Sequence, residues 1–317
     1  MMLIELSGLF LGLVGLWLGT EWTLNSTIDI ASHYKLSDWF IGMGILAIGT
    51  DIPELAVAID AGIRNHQGAQ LSDMVIGSSI GSAFAQIGLV LGIVGLSGYL
   101  LIGKKYLVHH GSMLIGAIVI LWLVGYDGVI SQLDGLILLV LFTLYFLLLL
   151  RNESQSHPQK LKQPLKLFEL WFKLTAGLIT VIAASELTIH SAVYLAESLQ
   201  IPQILIATFI VGIGTSLPEL SISLKAIRQR RGALSVGNIL GSNIFDTLVP
   251  IGIAAIISPL SFNHSLLYID LPALAAISLL VLLFFFKKKG LQRREAIVIL
   301  LAYTFYIVTN IVLKSSY

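Results

Sequence analysis

The chain has no cysteine. Structural disulfides, thiolate metal sites and cysteine nucleophiles are therefore excluded. Charge is scarce as well: Asp, Glu, Lys and Arg make up 12% of 317 residues, and the net charge is +1. That balance selects no acidic or basic partner, and no basic patch with interleaved aromatics points to nucleic acid. Met1 to Thr20 holds no Lys or Arg ahead of its apolar run. It lacks the basic region of a signal peptide and reads as a first transmembrane helix. The seven histidines form neither H-x-x-x-H nor H-E-x-x-H, so a zinc enzyme has little support.

What the chain has in excess is apolar sequence: 56% hydrophobic residues and a mean hydropathy of +0.90. No soluble core needs so much, so the expectation is an all-α polytopic membrane protein. The runs predict ten spans, at about 3–24, 37–62, 72–97, 106–125, 129–150, 168–196, 202–226, 232–258, 267–286 and 295–313. One clearly polar linker, about 151–166, divides them five and five. It is too short for a folded regulatory domain, so no large cytoplasmic module is expected.

The two halves resemble one another. Gly49-Thr50-Asp51-Ile52-Pro53-Glu54-Leu55 returns as Gly214-Thr215-Ser216-Leu217-Pro218-Glu219-Leu220. Thr20-Glu21-Trp22-Thr23-Leu24 matches Ser185-Glu186-Leu187-Thr188-Ile189 at the same offset. Gly77-x-x-x-Gly81-Ser82 returns as Gly237-x-x-x-Gly241-Ser242. This is an internal duplication, with halves about 1–150 and 167–317. Five spans per half force opposite orientations. Sixteen of the 19 Lys and Arg fall in the odd-numbered loops. The positive-inside rule makes those loops cytoplasmic and places both termini outside, as in a multi-pass inner or plasma membrane protein. Inverted repeats with interrupted helices near the midplane point to a secondary transporter.

Each repeated motif sets a glutamate one residue after a proline at bilayer depth. A carboxylate there costs roughly 2.5–3.5 kcal/mol on insertion scales, so a matched pair asks for a function. Thr50, Asp51 and Glu54 share one helical face, as do Thr215, Ser216 and Glu219. Pro53 and Pro218 cannot donate to the carbonyls of Gly49 and Gly214, which predicts kinks and freed carbonyls facing a cavity or an ion. Ser82 and Gln86, like Ser242 and Asp246, are four apart. Gly77, Gly81, Gly237 and Gly241 allow close helix approach. The set offers carboxylates at Asp51, Glu54, Glu219 and Asp246, with hydroxyls and one amide. Such hard oxygen ligands suit Ca²⁺ and Na⁺. Four packed carboxylates repel unless cations or protons balance them, which is a physical basis for exchange.

G-T-[DS]-[IL]-P-E-L followed by G-x-x-x-G-S, duplicated in inverted five-helix halves, resembles the cation/calcium exchanger superfamily, and within it the prokaryotic sodium/calcium exchangers. The specific signal lies in about 41–98 and 206–257. The resemblance implies ion ligands at Thr50, Glu54, Ser82, Thr215, Ser216, Glu219, Ser242 and Asp246, and backbone carbonyls at Ala47 and Gly212. It also implies that the first helix of each half slides across the other eight. The first repeat departs from the pattern at Asp51 (usually serine), Ala83 (usually asparagine) and Gln86 (usually Asn or Asp). Asp51 and Gln86 join the candidate site, Asp51 as a proton site or a compensating ligand.

The expected function is Na⁺/Ca²⁺ antiport with no cofactor and no obligate protein partner. H⁺/Ca²⁺ exchange is the alternative. An intramembrane enzyme would not need hydroxyls and freed carbonyls around both acids, and a channel gains nothing obvious from two-fold pseudosymmetry. Plainer readings stand beside these. A lone carboxylate after proline can serve helix packing, and Ser82 and Ser242 can be small packing residues. Glu21 and Glu186 line a gate or are solvated. Asp60 is a solvated helix end. Phe284 to Phe286 face lipid, and Lys287 to Lys289 anchor a helix end at the headgroups.

Overall fold

In lipid a backbone can satisfy its own polar groups only as helix or closed barrel, and the apolar runs among the described residues are helical. The computed structural model describes residues 2–151, 166–199, 214, 216–261, 266–288 and 290–314. The linker at 152–165 and the first part of the seventh expected span, 202–213, lie outside the described residues, as do Gly212 and Thr215.

The first half runs α1 (Met2–Tyr34), α2 (Asp38–Thr50), α3 (Ile52–His66), α4 (Ser72–Ser97), α5 (Lys104–Val124) and α6 (Gln132–Arg151). The second runs α7 (Leu167–Ser198), α8 (Leu217–Arg228), α9 (Gly232–Ile257), α10 (Leu271–Lys288) and α11 (Arg293–Lys314). Seven described helices are long and apolar enough to cross a bilayer, and the bent pair α2–α3 makes an eighth span. Two-residue antiparallel ladders join the halves, a feature outside the all-helical expectation. β1 (Leu100–Leu101) pairs with β4 (Gly290–Leu291), and β2 (Val129–Ile130) with β3 (Leu260–Ser261).

α1 corrects the expected end near residue 24, continuing as one helix of 33 residues. At 1.5 Å per residue it is about 50 Å long, more than a hydrocarbon core, so it must lie tilted or project. Its polar second half does not end the helix because α8 receives it. Lys225 Nζ sits 3.3 Å from Glu21 Oε2, and Gln229 Nε2 donates to Asn25 Oδ1 at 3.2 Å.

α9 is the axis of the bundle. It is buried from Leu234 to Gly252 and packs against α2, α3, α4, α5, α6 and α8. Gly241 is required by this packing: a Cβ there would lie 2.6 Å from the Met43 Cα. α4 packs against α11, and α5 against α10. α1 and α7 pair chiefly with each other. They are antiparallel, with Gly12 against Ala184 and Thr188, Gly19 against Val181 and Gly177, and Thr23 against Gly177. Phe10, Leu13 and Trp17 of α1 and Phe168, Phe172 and Ile179 of α7 are left exposed, as lipid-facing residues are.

The loops sort onto two faces. β1–β4 joins the loop after α4 to the loop after α10. Arg231 Nη1 meets Asp38 Oδ1 at 2.7 Å, and a cavity of about 500 Å³ runs from Asp38 past Ser97 to Tyr99 and on to Ile227, Arg228 and Arg231. These are the basic, odd-numbered loops. On the other face, β2–β3 joins the loops after α5 and α9, and Asn65 Nδ2 donates to Ser258 Oγ at 3.1 Å. The alternation is what two inverted halves require.

Candidate ion site

Both motifs begin a new helix at the same place. Asp51 leaves the α2 ladder at φ −90°, ψ 6°, and Ser216 stands before α8 at φ −95°, ψ 9°. Pro53 and Pro218 each occupy the second position of the new helix, where their missing N–H costs nothing. The axis bends by 46° between α2 and α3. A π-helical turn, Ile41–Leu46, precedes the break in α2, and another, Gln86–Val90, lies in α4 at the first repeat's amide. Extra residues in the turn expose carbonyls and re-aim side chains.

The structure brings the candidate residues together against α9. Asp51, Gln86, Glu219, Ser242 and Asp246 are each 0% exposed, and Thr50, Ser82 and Ser216 are buried. Glu54 is partly exposed, with Oε2 covered. Asp51 and Glu219 lie within hydrogen-bond reach of each other and Thr50 stands beside Glu219, while Asp246 Oδ1, Glu54 Oε2, Ser216 Oγ and Ser242 Oγ lack a protein partner. The four carboxylates stand near enough to repel one another. Among the described residues, however, no three Asp, Glu or His side chains converge closely enough to hold one metal ion between them.

Carbonyls behave differently from the expectation of freed groups. The Ala47 carbonyl accepts from the Asp51 N–H at 3.1 Å and from the Thr50 hydroxyl at 3.2 Å. The Gly214 carbonyl accepts from Ser185 Oγ of α7 at 3.0 Å. Pro218 has no N–H to offer the Gly214 carbonyl, and a neighbouring helix meets it instead.

Gln86 turns the first repeat's departure into a bridge. Its Nε2 donates to Asp246 Oδ2 at 3.0 Å and lies 3.3 Å from Ser82 Oγ. Its Oε1 accepts from Asn243 Nδ2 at 2.8 Å. Asn243 was not among the candidate residues, although G-S-N-I-F-D placed it beside Ser242. No sequence signal marked Ser185 as the partner of Gly214 beyond its match to Thr20. Glu21 pairs with Lys225, Glu186 is exposed, and Asp60 pairs with Arg64 at 2.9 Å on an exposed helix face. The Phe284 to Phe286 run corrects the lipid-facing expectation in part. Phe285 is buried in the core, and Phe286 carries the Lys104 ammonium 4.4 Å from its ring centroid.

Buried carboxylates gathered where two matched motifs begin new helices, in inverted halves, mark a membrane ion carrier. The chain belongs to the sodium/calcium exchanger protein family, whose pattern it matches over residues 4–151 and 169–312. It is a multi-pass membrane antiporter of that family. It is 33% identical to an uncharacterized membrane protein of Methanocaldococcus jannaschii, over 78% of this chain and 80% of that one. It is 27% identical to the sodium/calcium exchanger MaX1 of Methanosarcina acetivorans, over 86% of this chain and 89% of that one. The sodium-calcium exchanger NCX_Mj, solved after soaking with zero Na⁺ and Ca²⁺, superposes with a TM-score of 0.83 at 29% identity, covering 98% of this chain and 99% of that one.

Proposed function

We propose that the protein exchanges Na⁺ for Ca²⁺ across the cell membrane by alternating access to the buried carboxylates. The observation that carries this reading is the cluster of fully buried acids Asp51, Glu219 and Asp246, close enough to repel one another and with Asp246 Oδ1 left unpartnered. A buried ionised carboxylate without a partner is costly, so the protein's own fold asks for a cation there. Glu54, Glu219 and Asp246, with Thr50, Ser82, Thr215, Ser216 and Ser242, are the ligands we assign. Asp51 adds a fourth negative charge, Gln86 holds Asp246 in place, and the set includes the carbonyls of Gly212 and of Ala47, the latter shared between the ion and the two donors it already accepts from. The four acids can be balanced by several Na⁺ or by one Ca²⁺ in turn.

The halves, about 1–150 and 167–317, act as the two inverted units. The basic loops face the cytoplasm and both termini face outward. α1 lying along α8 supports a state sealed on the cytoplasmic side, while partly exposed Glu54 marks the side of entry.

The test is ⁴⁵Ca²⁺ uptake into proteoliposomes, one set preloaded with Na⁺ at matched pH and another carrying only an outward proton gradient. Na⁺-driven uptake that disappears in Glu54→Ala and Glu219→Ala is expected. Uptake driven by the proton gradient alone would sink the Na⁺ reading.

A further inference from the structure

The carboxylates are not the end of the buried polar path. On α9, Ser235, Asn238, Ser242 and Asp246 follow at spacings of three, four and four, so they share one face. All four are 0% exposed. Ser235 Oγ, Asn238 Oδ1 and Ser242 Oγ have no hydrogen-bond partner. Helical serines ordinarily turn back onto the carbonyl four residues earlier, yet neither of these two does. Across the interface, Ser223 of α8 lies four residues beyond Glu219 and is fully buried, and Asn238 Nδ2 donates to its Oγ at 3.4 Å. The row spans eleven residues, about 16 Å of helix, from Asp246 to the start of α9. There Arg231 and Asp38 close the basic face.

The duplication supplies an internal comparison. The repeat offsets place Ala58 opposite Ser223, Ser78 opposite Asn238 and Val75 opposite Ser235. Ala58 and Val75 carry no side-chain oxygen, so the matched positions of the first half hold the Ser78 hydroxyl alone, which donates to the carbonyl of Val75 at 3.0 Å. The row therefore belongs to the second half only.

We propose that Ser223, Asn238 and Ser235 form a separate cation site between the carboxylates and the basic face, selective for a monovalent ion. Its donors are hydroxyl and amide oxygens without a carboxylate. Ca²⁺ sites draw their affinity from charged ligands, so a site of neutral oxygens holds Na⁺ and lets Ca²⁺ pass. The site retains Na⁺ on the basic side while the carboxylates exchange, and the opposite side has no equivalent. This rests on the exchange reading above.

The test uses membrane vesicles of both orientations, with Na⁺ titrated on one face at a time against ⁴⁵Ca²⁺ flux. Asn238→Ala and Ser223→Ala each raise the half-maximal Na⁺ concentration at the basic face by about five-fold, the size of one lost polar contact. The value at the other face stays unchanged, which also shows the variants to be folded. Equal shifts at both faces, or none at either, overturn the proposal. If wild-type flux proves not to be Na⁺-driven, the exchange reading falls by itself. Equilibrium ²²Na⁺ binding then decides the site: a component lost in both variants upholds it, and unchanged binding refutes it.

Discussion

Gln86 on α4 donates its amide to Asp246 on α9 at 3.0 Å, tying together residues 160 apart in sequence. The same side chain accepts from Asn243, so one residue of the first half organises two of the second. A family position usually filled by a shorter side chain here reaches across the pseudo-two-fold axis.

Removing that amide exposes what it offsets. In Gln86→Leu, Asp246 Oδ2 loses its donor and Asn243 loses an acceptor. An unsatisfied buried group costs about 1–3 kcal/mol, more when charged. The variant should melt lower in cation-free buffer, and added Ca²⁺ should recover much of the difference. Thermal unfolding with and without Ca²⁺ reads this directly. A deficit indifferent to Ca²⁺ would separate Gln86 from the ion site.

A second expectation concerns the α1–α7 pair. A Cβ on Gly19 would stand 2.9 Å from both Cγ2 and the backbone N of Val181, and 3.0 Å from the Gly177 carbonyl. Backbone cannot yield as a side-chain tip can, and overpacking costs about 1–3 kcal/mol. Gly19→Ala should slow transport strongly while equilibrium ⁴⁵Ca²⁺ binding survives, because the carboxylates sit on α3, α8 and α9 and at the α2–α3 break. Gly116→Ala on α5, with no described atom within 4 Å of its Cβ, is the neutral comparison. Equal losses in the two variants would contradict this.

The ion pair between Lys225 and Glu21 connects α1 to α8 on the basic face. Its side chains are 22% and 39% exposed, so it is worth at most about 1 kcal/mol and is screened by salt. Glu21→Gln should therefore shift the balance between the two access states by less than ten-fold, seen as opposite changes in apparent Ca²⁺ affinity at the two faces. The shift should fade at high ionic strength. A salt-independent effect would place Glu21 in ion binding instead.

Asp270 anchors α10 to α11. It accepts from the Tyr306 hydroxyl and, at 2.7 Å, from Asn310 Nδ2, while the Tyr306 ring stacks on Phe84 of α4 at 3.8 Å between centroids. Tyr306→Phe keeps the stack and deletes the hydroxyl. A loss of about 1–2 kcal/mol in stability is expected, with unchanged Ca²⁺ affinity. Phe84→Ala, two residues from both Ser82 and Gln86, should lower the affinity as well. Chemical unfolding alongside ⁴⁵Ca²⁺ binding distinguishes the two.

The motif kinks were legible because proline and glycine act locally: a missing N–H at Pro53 or Pro218 breaks a ladder whatever surrounds it. The grouping of Asp51, Glu219 and Asp246 followed from repeat symmetry and the cost of burying acids. Contacts between distant helices left no such mark. The Ser185 hydroxyl on Gly214, the bridge from Asn243 to Gln86 and the extension of α1 along α8 all depend on which helix lies opposite. Repeat symmetry also misled in one respect. Gly237 and Gly241 pack on Trp39 and Met43, whereas among the described residues no atom lies within 4 Å of a Cβ on Gly77 or Gly81.

The two short ladders bear on how such a carrier can move. β1–β4 closes on the basic face and β2–β3 on the opposite one, each joining the first half to the second. A block of helices pinned at both surfaces cannot hinge open like a jaw, since widening either mouth would tear one pin. The freedom that remains is translation of an unpinned element past a stationary wall. Of the long helices, α1 and α7 are the two that neither ladder borders, and a row of glycines lets them travel together.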